Sequence, residues 1–194
     1  LSKGLHPVDA WAGLLAFTLQ IYFDFSGYSD MAVGLARMFN IEFPLNFDRP
    51  YRAVNLVDFW RRWHITLSAF LRDYLFFPLG ANRRGEWRGY ANLAITMAIA
   101  GLWHGASWLF VTWGAIHGVL LAATHAWLRV KRRLWRREPA QWGAALAGLL
   151  TFATVALTWT LFRAGSWAAC GNVLLSLTGS GPGASGRVLN RVQA

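Results

Sequence analysis

The chain has 194 residues, of which 55% are hydrophobic, 15% aromatic and only 14% charged. A soluble domain carries roughly 25% charged residues, so the composition excludes an ordinary soluble protein and favours one surrounded by membrane lipid. The net charge of +10 comes from arginines beside apolar segments, as at a membrane surface, so we expect no nucleic-acid partner.

The first apolar segment runs from Ala10 to Phe23 and is followed by the polar stretch 24–30 and more apolar residues. As a helix it would measure about 21 Å, less than the ~30 Å hydrocarbon core of a bilayer. The whole region therefore predicts either one long tilted helix or a helix broken near Gly27. Residues 40–50 contain two prolines and two asparagines, which predicts an irregular re-entrant or interfacial loop.

Between Asn55 and Leu79, arginines are interspersed with aromatic residues. Asn55 can cap the start of a helix, with Asp58 in its first turn. This mixture predicts a helix at the membrane interface or inside a bundle, rather than a span that faces lipid. A basic turn at residues 80–85 ends the segment.

Three further apolar segments predict helices, and they are Tyr90–Trp103, Trp108–Trp127 and Gln141–Phe162. The last of them is long enough to cross a bilayer. Residues 129–137 carry six positive charges, which predicts that this connection lies in the cytoplasm.

These segments together predict an all-α fold, a partial polytopic transmembrane helical bundle with interfacial or re-entrant helices. Its domain would span residues 1–175, and residues 176–194, which are rich in Gly and Ser, would form a tail. The chain begins at Leu1, a few residues before an apolar segment, so we expect that part of the bundle precedes it.

His104 is the strongest candidate for chemistry. It lies between two apolar segments, in Gly-Leu-Trp-His-Gly-Ala-Ser-Trp, where Gly101 and Gly105 allow close approach of backbone or substrate. An ionisable side chain at membrane depth is costly and usually marks function. A neutral imidazole can take a proton from a hydroxyl. The alternative is a structural histidine that donates to a backbone carbonyl in the core.

His64 is the second candidate. On a continuous helix it would share a face with Trp60 and Arg61, where it could orient or stabilise a base. The alternative is an interfacial histidine among anchoring aromatic residues.

The other reactive side chains give weaker signals. His117 and His125 would lie within about 80° on one helix, with His104 on another side, so we expect no metal site and interpret His117 as a core histidine. The single cysteine, Cys170, predicts a buried thiol and allows neither a disulfide within the chain nor a Cys-based metal site. The motifs of nucleotide-binding and soluble hydrolytic enzymes do not occur in the sequence.

Five motifs follow one another along the chain: Asp24-Phe-Ser-Gly-Tyr-Ser-Asp30, Asp58-Phe-Trp-Arg-Arg-Trp-His64, Phe70-Leu-Arg-Asp-Tyr-Leu75, Pro78-Leu-Gly-Ala-Asn-Arg83 and Leu102-Trp-His-Gly-Ala106. Together they resemble the membrane-bound O-acyltransferase family over residues 10–165. The fourth motif looks most like the branch that O-acetylates alginate, and the branch that transfers D-alanine to teichoic acids shares both histidines. The resemblance implies a helical bundle pierced by a tunnel, which donor and acceptor enter from opposite sides.

The resemblance implies that His104 is the catalytic histidine and His64 the second histidine of the site. We expect His104 to be the general base in acyl transfer from a thioester to a hydroxyl, with no acyl-enzyme, bound cofactor or metal. Substrate contacts are expected at Trp103, Arg61, Arg62 and Asp58. The arginines could attract donor phosphates or an acidic carrier protein, or they could be positive-inside anchors.

The implied function is transfer of acetyl groups toward hydroxyls of an exported polysaccharide such as alginate, by a multi-pass protein of the bacterial inner membrane. The expected donor is an acyl thioester, either acetyl-CoA or an acyl carrier. The expected partners are membrane lipid and periplasmic proteins of acetyl transfer or polysaccharide modification. Family members are longer, so part of the tunnel wall would come from outside this chain.

Two alternatives remain open at the level of sequence. D-alanyl transfer to teichoic-acid-type acceptors is the alternative within the same family. A transporter or a scaffold subunit is the non-enzymatic alternative, since buried Asp and His also line ion paths, although no internal repeat typical of transporters is visible.

Overall fold

The computed structural model describes residues 5–134 and 141–181, and the regular structure within these ranges is helical. The α-helices are α1 (Pro7–Met38), α2 (Leu56–Arg62), α3 (Ile65–Leu71), α4 (Glu86–His104), α5 (Trp108–Leu134), α6 (Gln141–Arg163) and α7 (Trp167–Leu177). The predicted all-α fold is therefore confirmed for the described part of the chain. Two of these helices, α5 and α6, are long and apolar enough to cross a membrane.

The first helix, α1, is continuous over 32 residues and does not break at Gly27. It measures about 48 Å, so of the two predicted alternatives the single long helix is correct. Pro7 occupies its first turn, where the missing N–H costs no helical hydrogen bond. One face of α1 packs on α6 and α7, while the opposite face exposes large apolar side chains such as Phe23 and Met31. Such a surface suits contact with lipid or with further helices.

The predicted interfacial segment forms short helical pieces. Asn55 caps α2 as predicted, and its Oδ1 accepts a hydrogen bond from the N–H of Asp58 at 2.9 Å. After α3 the chain continues in a π-helical turn, Arg72–Phe76, and reaches α4 through the basic turn.

The break between α2 and α3 places His64 differently from the sequence prediction. α2 ends at Arg62, Trp63 is extended, and His64 takes a left-handed conformation with φ of 45°. A continuous helix that puts His64 on one face with Trp60 and Arg61 is therefore wrong. The left-handed residue turns the chain, so that α3 leaves in a new direction.

Helices α4 and α5 form a tight antiparallel hairpin through glycines. A Cβ atom at Gly101 would collide with the carbonyl of Phe110, and one at Gly114 would collide with the carbonyl of Met97. A Cβ atom at Gly118 would lie 2.6 Å from a Cα atom of α4. Small residues let membrane helices approach this closely, and the close approach fixes the end of α4 against the first turns of α5.

The core is aromatic and joins α2, α5 and α6. Trp63, Trp113 and Trp159 are each less than 5% exposed, and the rings of Trp113 and Trp159 stack with centroids 5.6 Å apart. Burial of such large rings stabilises the bundle mainly through contact area. Cys170, on α7, is buried as predicted.

Helix α7 has no counterpart among the predicted helices. The predicted start of the tail at residue 176 falls inside it, and Ser176 is buried and donates to the carbonyl of Asn172 at 2.7 Å. Most of the predicted tail, residues 182–194, and the end of the predicted basic run, residues 135–137, lie outside the described residues.

Candidate functional site

His104 is the last residue of α4 and is half-buried in a pocket of aromatic rings. Its ring centroid lies 4.9 Å from that of Trp103, 5.5 Å from Trp113, 4.9 Å from Phe162 and 6.3 Å from Phe110. Aromatic walls position an imidazole without occupying its nitrogens, and they exclude water from its surroundings.

The nitrogens of His104 are available to a substrate. In the described part of the chain, the histidines whose side chains make hydrogen bonds are His6, His64 and His117. A histidine that packs on rings, at the closed end of a helix hairpin, can both accept and return a proton.

His64 approaches the same place from the junction of α2 and α3. The Trp103 ring lies 6.4 Å from that of His64 and 4.9 Å from that of His104, so Trp103 neighbours both histidines. Trp103 is 63% exposed, which leaves its face accessible. The end of α4, with Trp103 and His104, and the α2–α3 junction, with His64, thus bring three residues predicted for the site together.

The orientation of His64 is set by Asn46, in the irregular loop. The Nδ1 atom of His64 lies 3.2 Å from Oδ1 of Asn46, and this oxygen also accepts from the backbone N–H of Thr66 at 3.3 Å. A backbone N–H can only donate, so the Asn46 atom is the carbonyl oxygen and His64 donates through Nδ1–H. The lone pair of its Nε2 is then free to accept.

His64 is also held in its neutral form. It lies outside the two candidate spans. Burial, as the larger cause, and repulsion by a protonated His104 lower the pKa of His64 to about 4. The edge of its ring meets Phe25 with centroids 4.6 Å apart. At neutral pH His64 is therefore uncharged and offers an acceptor nitrogen.

Asp58 and Arg62 lie beside this centre and support the loop that carries Asn46. The Nε atom of Arg62 donates to Oδ1 of Asp58 at 2.8 Å, and its Nη1 lies 3.4 Å from Oδ2 of Asp48. Asp58 also accepts from the N–H of Val54 at 3.2 Å. These bonds connect the loop to α2, so Asp58 and Arg62 position His64 only indirectly, through the loop that carries Asn46.

Arg61 lines a separate cleft of about 510 Å³ between the α2–α3 region and the α4–α5 hairpin. Two other arginines of the cleft are neutralised, because Arg72 pairs with Asp73 at 2.7 Å and Arg129 pairs with Glu86. Within residues 5–134 and 141–181, Arg61 has no carboxylate at ion-pair distance. It is therefore a cation of this cleft that remains available to an anion.

A layer of rings separates the cleft from His104. Trp60 lines the cleft, and its ring lies 6.0 Å from that of Trp113 and 5.4 Å from that of His117. On the other side, Trp113 meets His104. His117 is fully buried, which confirms its interpretation as a core histidine.

Sequence reasoning missed Asn46, Thr66 and the contact between Trp60 and His117. The only sequence signal for Asn46 is an asparagine in a proline-flanked loop, and such loops often carry functional residues. No group of His, Cys, Asp and Glu suited to a metal ion occurs among the residues that the structure describes.

The sequence that builds this site matches a known protein family. Residues 5–162 match the model of the membrane-bound O-acyltransferase family. The matched range includes both histidines, Trp103 and the whole cleft.

Individual relatives transfer acyl groups to different acceptors, judging by their names. The chain is 45% identical over 178 residues to a peptidoglycan O-acetyltransferase of Helicobacter pylori, covering 92% of this chain and 33% of the relative. It is 49% identical over 156 residues to a probable alginate O-acetylase of Pseudomonas putida, covering 80% and 31%. A teichoic acid D-alanyltransferase of Streptococcus thermophilus is 33% identical over 175 residues, covering 82% and 42%. The chain thus spans about a third of the length of the first two relatives.

Proposed function

Because this chain belongs to the membrane-bound O-acyltransferase family, we propose that the full-length protein transfers acetyl groups from a thioester toward hydroxyls of an exported polysaccharide. The observation that carries the proposal is the convergence of His64 and His104 on Trp103. Two histidines in an aromatic pocket, each with a nitrogen that is free to accept a proton, suit proton transfer to and from a hydroxyl.

His104 acts as the general base. Its free nitrogen takes the proton of the acceptor hydroxyl while the hydroxyl oxygen attacks the thioester carbonyl carbon. The tetrahedral oxyanion then collapses, the carbon–sulfur bond breaks, and the proton moves from His104 to the leaving thiolate. Base catalysis of this kind contributes typically 10²–10⁴-fold to a rate, and no residue is acylated along the way.

His64 supports this step through its fixed tautomer. Because Nδ1 donates to Asn46, Nε2 presents a lone pair that can hold the acceptor hydroxyl or the protonated base. Trp103 neighbours both rings and provides an apolar face for the substrate. Such a face suits a sugar ring or an acyl group.

The cleft with Arg61 receives the donor. An acyl thioester of coenzyme A or of an acyl carrier bears phosphate groups, and an arginine without a carboxylate partner can bind one of them. Arg62 has two carboxylate partners and supports the loop instead. Of the two adjacent arginines, we therefore assign only Arg61 to substrate binding.

The charge distribution supports a direction across the inner membrane. Basic residues flank the start of α4 and the end of α5, which supports a cytoplasmic location for that end of the hairpin. His104 follows Arg88 by about 24 Å of helix and lies toward the periplasm. The donor would enter from the cytoplasm, and periplasmic acetyl-transfer or polysaccharide-modification proteins would receive the acetyl group.

The test is complementation in cells that lack their own polysaccharide O-acetyltransferase. Full-length wild type and His104→Ala would be compared at matched membrane levels, with ester-linked acetyl measured on exported polysaccharide and on peptidoglycan. We expect acetyl with wild type only, and the polymer that gains it identifies the acceptor. Acetyl restored by both proteins would remove His104 from the chemistry. D-alanyl esters in place of acetyl would establish the alternative donor.

A further inference from the structure

His117 makes two hydrogen bonds inside the bundle, where it has no contact with solvent. The Nε1–H of Trp60 donates to its Nδ1 at 3.3 Å, and its Nε2 lies 2.9 Å from Oγ1 of Thr158. The Thr158 hydroxyl in turn donates to the carbonyl of Val155 at 2.8 Å. The chain of bonds thus runs from α2 through α5 to α6.

The donor and the acceptor of every hydrogen bond in this series are determined. An indole nitrogen can only donate, so Nδ1 of His117 is the acceptor and its proton is on Nε2. Nε2–H then donates to Thr158, whose own proton is used on the carbonyl of Val155. The network is complete with a neutral ring, and complete buried networks hold one arrangement of side chains.

The bonds of His117 orient the layer between the cleft and His104. Trp113 packs on His117 with centroids 4.9 Å apart, and the indole nitrogen of Trp113 has no hydrogen-bond partner among the described residues. In that part of the chain, the only hydrogen bond that fixes the Trp60 ring is the one to His117. Loss of His117 would therefore free both tryptophans to change rotamer.

We propose that His117 is a positioning residue, which holds Trp60 and Trp113 as a partition and thereby limits the length of the acyl group that reaches His104. The proposal rests on the proposed acyl transfer and adds a determinant of its specificity. The thioester carbonyl must reach His104 while the donor phosphate stays in the cleft, so the arm of the donor crosses the layer in every turnover. The acyl carbons beyond the carbonyl then lie in the His104 pocket, of which Trp113 is one wall. A two-carbon acyl group fits with Trp113 held in place, whereas a longer chain requires Trp113 to turn. Pocket contacts of this kind discriminate by about 10–200-fold per methylene.

The variants separate the hydrogen bond from the bulk of the rings. His117→Leu removes both bonds, and Trp60→Phe removes the indole donor but keeps an aromatic ring. His117→Gln retains one acceptor and one donor and is the conservative rescue. Thr154→Val is the matched control on α6, since among the described residues the Thr154 hydroxyl bonds only to the carbonyl of Leu150 in its own helix.

The experiment uses membranes with the full-length protein, exported polysaccharide as acceptor, and acetyl-CoA or hexanoyl-CoA as donor. We expect His117→Leu and Trp60→Phe to raise the ratio of hexanoyl to acetyl transfer by about tenfold or more. His117→Gln and Thr154→Val should keep the wild-type ratio.

An unchanged ratio in Trp60→Phe, with acetyl transfer retained, overturns the proposal even where His117→Leu fails to accumulate. An equal loss with both donors assigns His117 a purely structural role and also overturns it. If the wild-type protein acylates no acceptor from either donor, the proposed function fails and this inference fails with it.

Discussion

The two ends of the α4–α5 hairpin offer opposite environments to a substrate. At one end, His104 is surrounded by rings and its partner His64 is neutral, held by Asn46. At the other end, the cleft is lined by arginines, and Arg61 remains without a carboxylate in the described part of the chain. One end suits proton transfer, whereas the other suits attraction of an anion.

The two environments differ in how they change the free energy of a charged side chain. Near water, an arginine keeps its charge at little cost and attracts phosphate over a distance of about 10 Å. Inside an aromatic pocket, a charge is expensive and a neutral base is favoured. A protein that binds an anionic donor and transfers a proton therefore benefits from separating the two sites, with the partition of Trp60 and Trp113 between them.

The largest effect after loss of His104 is expected at His64. His64→Ala removes the Nε2 acceptor and the ring that faces Trp103, and we expect acyl transfer to fall by about 100-fold, as for a misplaced reacting group. His125→Ala is the matched control, because His125 lines the cleft, and it should lose less than about threefold in kcat. The measurement is the rate of acetyl transfer at matched membrane levels.

A second variant tests how His64 acts. Asn46→Ala leaves the imidazole in place but removes the acceptor that fixes its tautomer, so we expect a smaller loss, of about tenfold. Equal and small losses for His64→Ala and His125→Ala would remove His64 from the site and would erase the contrast between the two ends of the hairpin.

The next effect concerns the hairpin that holds the two ends apart. Gly114→Ala places a Cβ atom against the carbonyl of Met97, and overpacking of this kind costs about 1–3 kcal/mol. We expect less folded protein in the membrane, measured by thermal aggregation in detergent. Gly13→Ala is the control, since a Cβ atom at Gly13 meets no atom of the described residues within 4 Å. The same stability for both variants would show that α4 and α5 are not packed as described.

Much of the fold was predictable because apolar segments and caps are local signals. The sequence predicted the region of α1, the Asn55 cap, the turn at His104 and helices α4 to α6. The sequence could not predict the break at His64, because a non-glycine residue in the left-handed region is stabilised by Asn46, 18 residues earlier. Local pattern favours a continuous helix there, and tertiary contacts override it.

The site, like the fold, was predictable in part. His104 and its pairing with His64 were predicted, since both residues stand in recognisable motifs. The roles of Arg61 and Arg62 were not distinguished, because adjacent arginines look alike until Asp48 and Asp58 are seen to pair with only one of them. The bond between Trp60 and His117 joins residues 57 positions apart, and periodicity contains no information about such a contact.

The smallest expected effect distinguishes the role of Arg61 from that of Arg62. Arg61→Gln removes the cation that is available to the donor, so we expect KM for acetyl-CoA to rise about three- to tenfold with kcat unchanged, as for loss of uniform binding. The rise should shrink at high ionic strength, because added salt screens an exposed charge. Arg62→Gln should leave KM unchanged and lower the amount of folded protein, because it leaves Asp58 and the loop with Asn46 without their partner. A higher KM for Arg62→Gln than for Arg61→Gln would reverse the assignment and would bring the donor to the side of α2 that faces the loop.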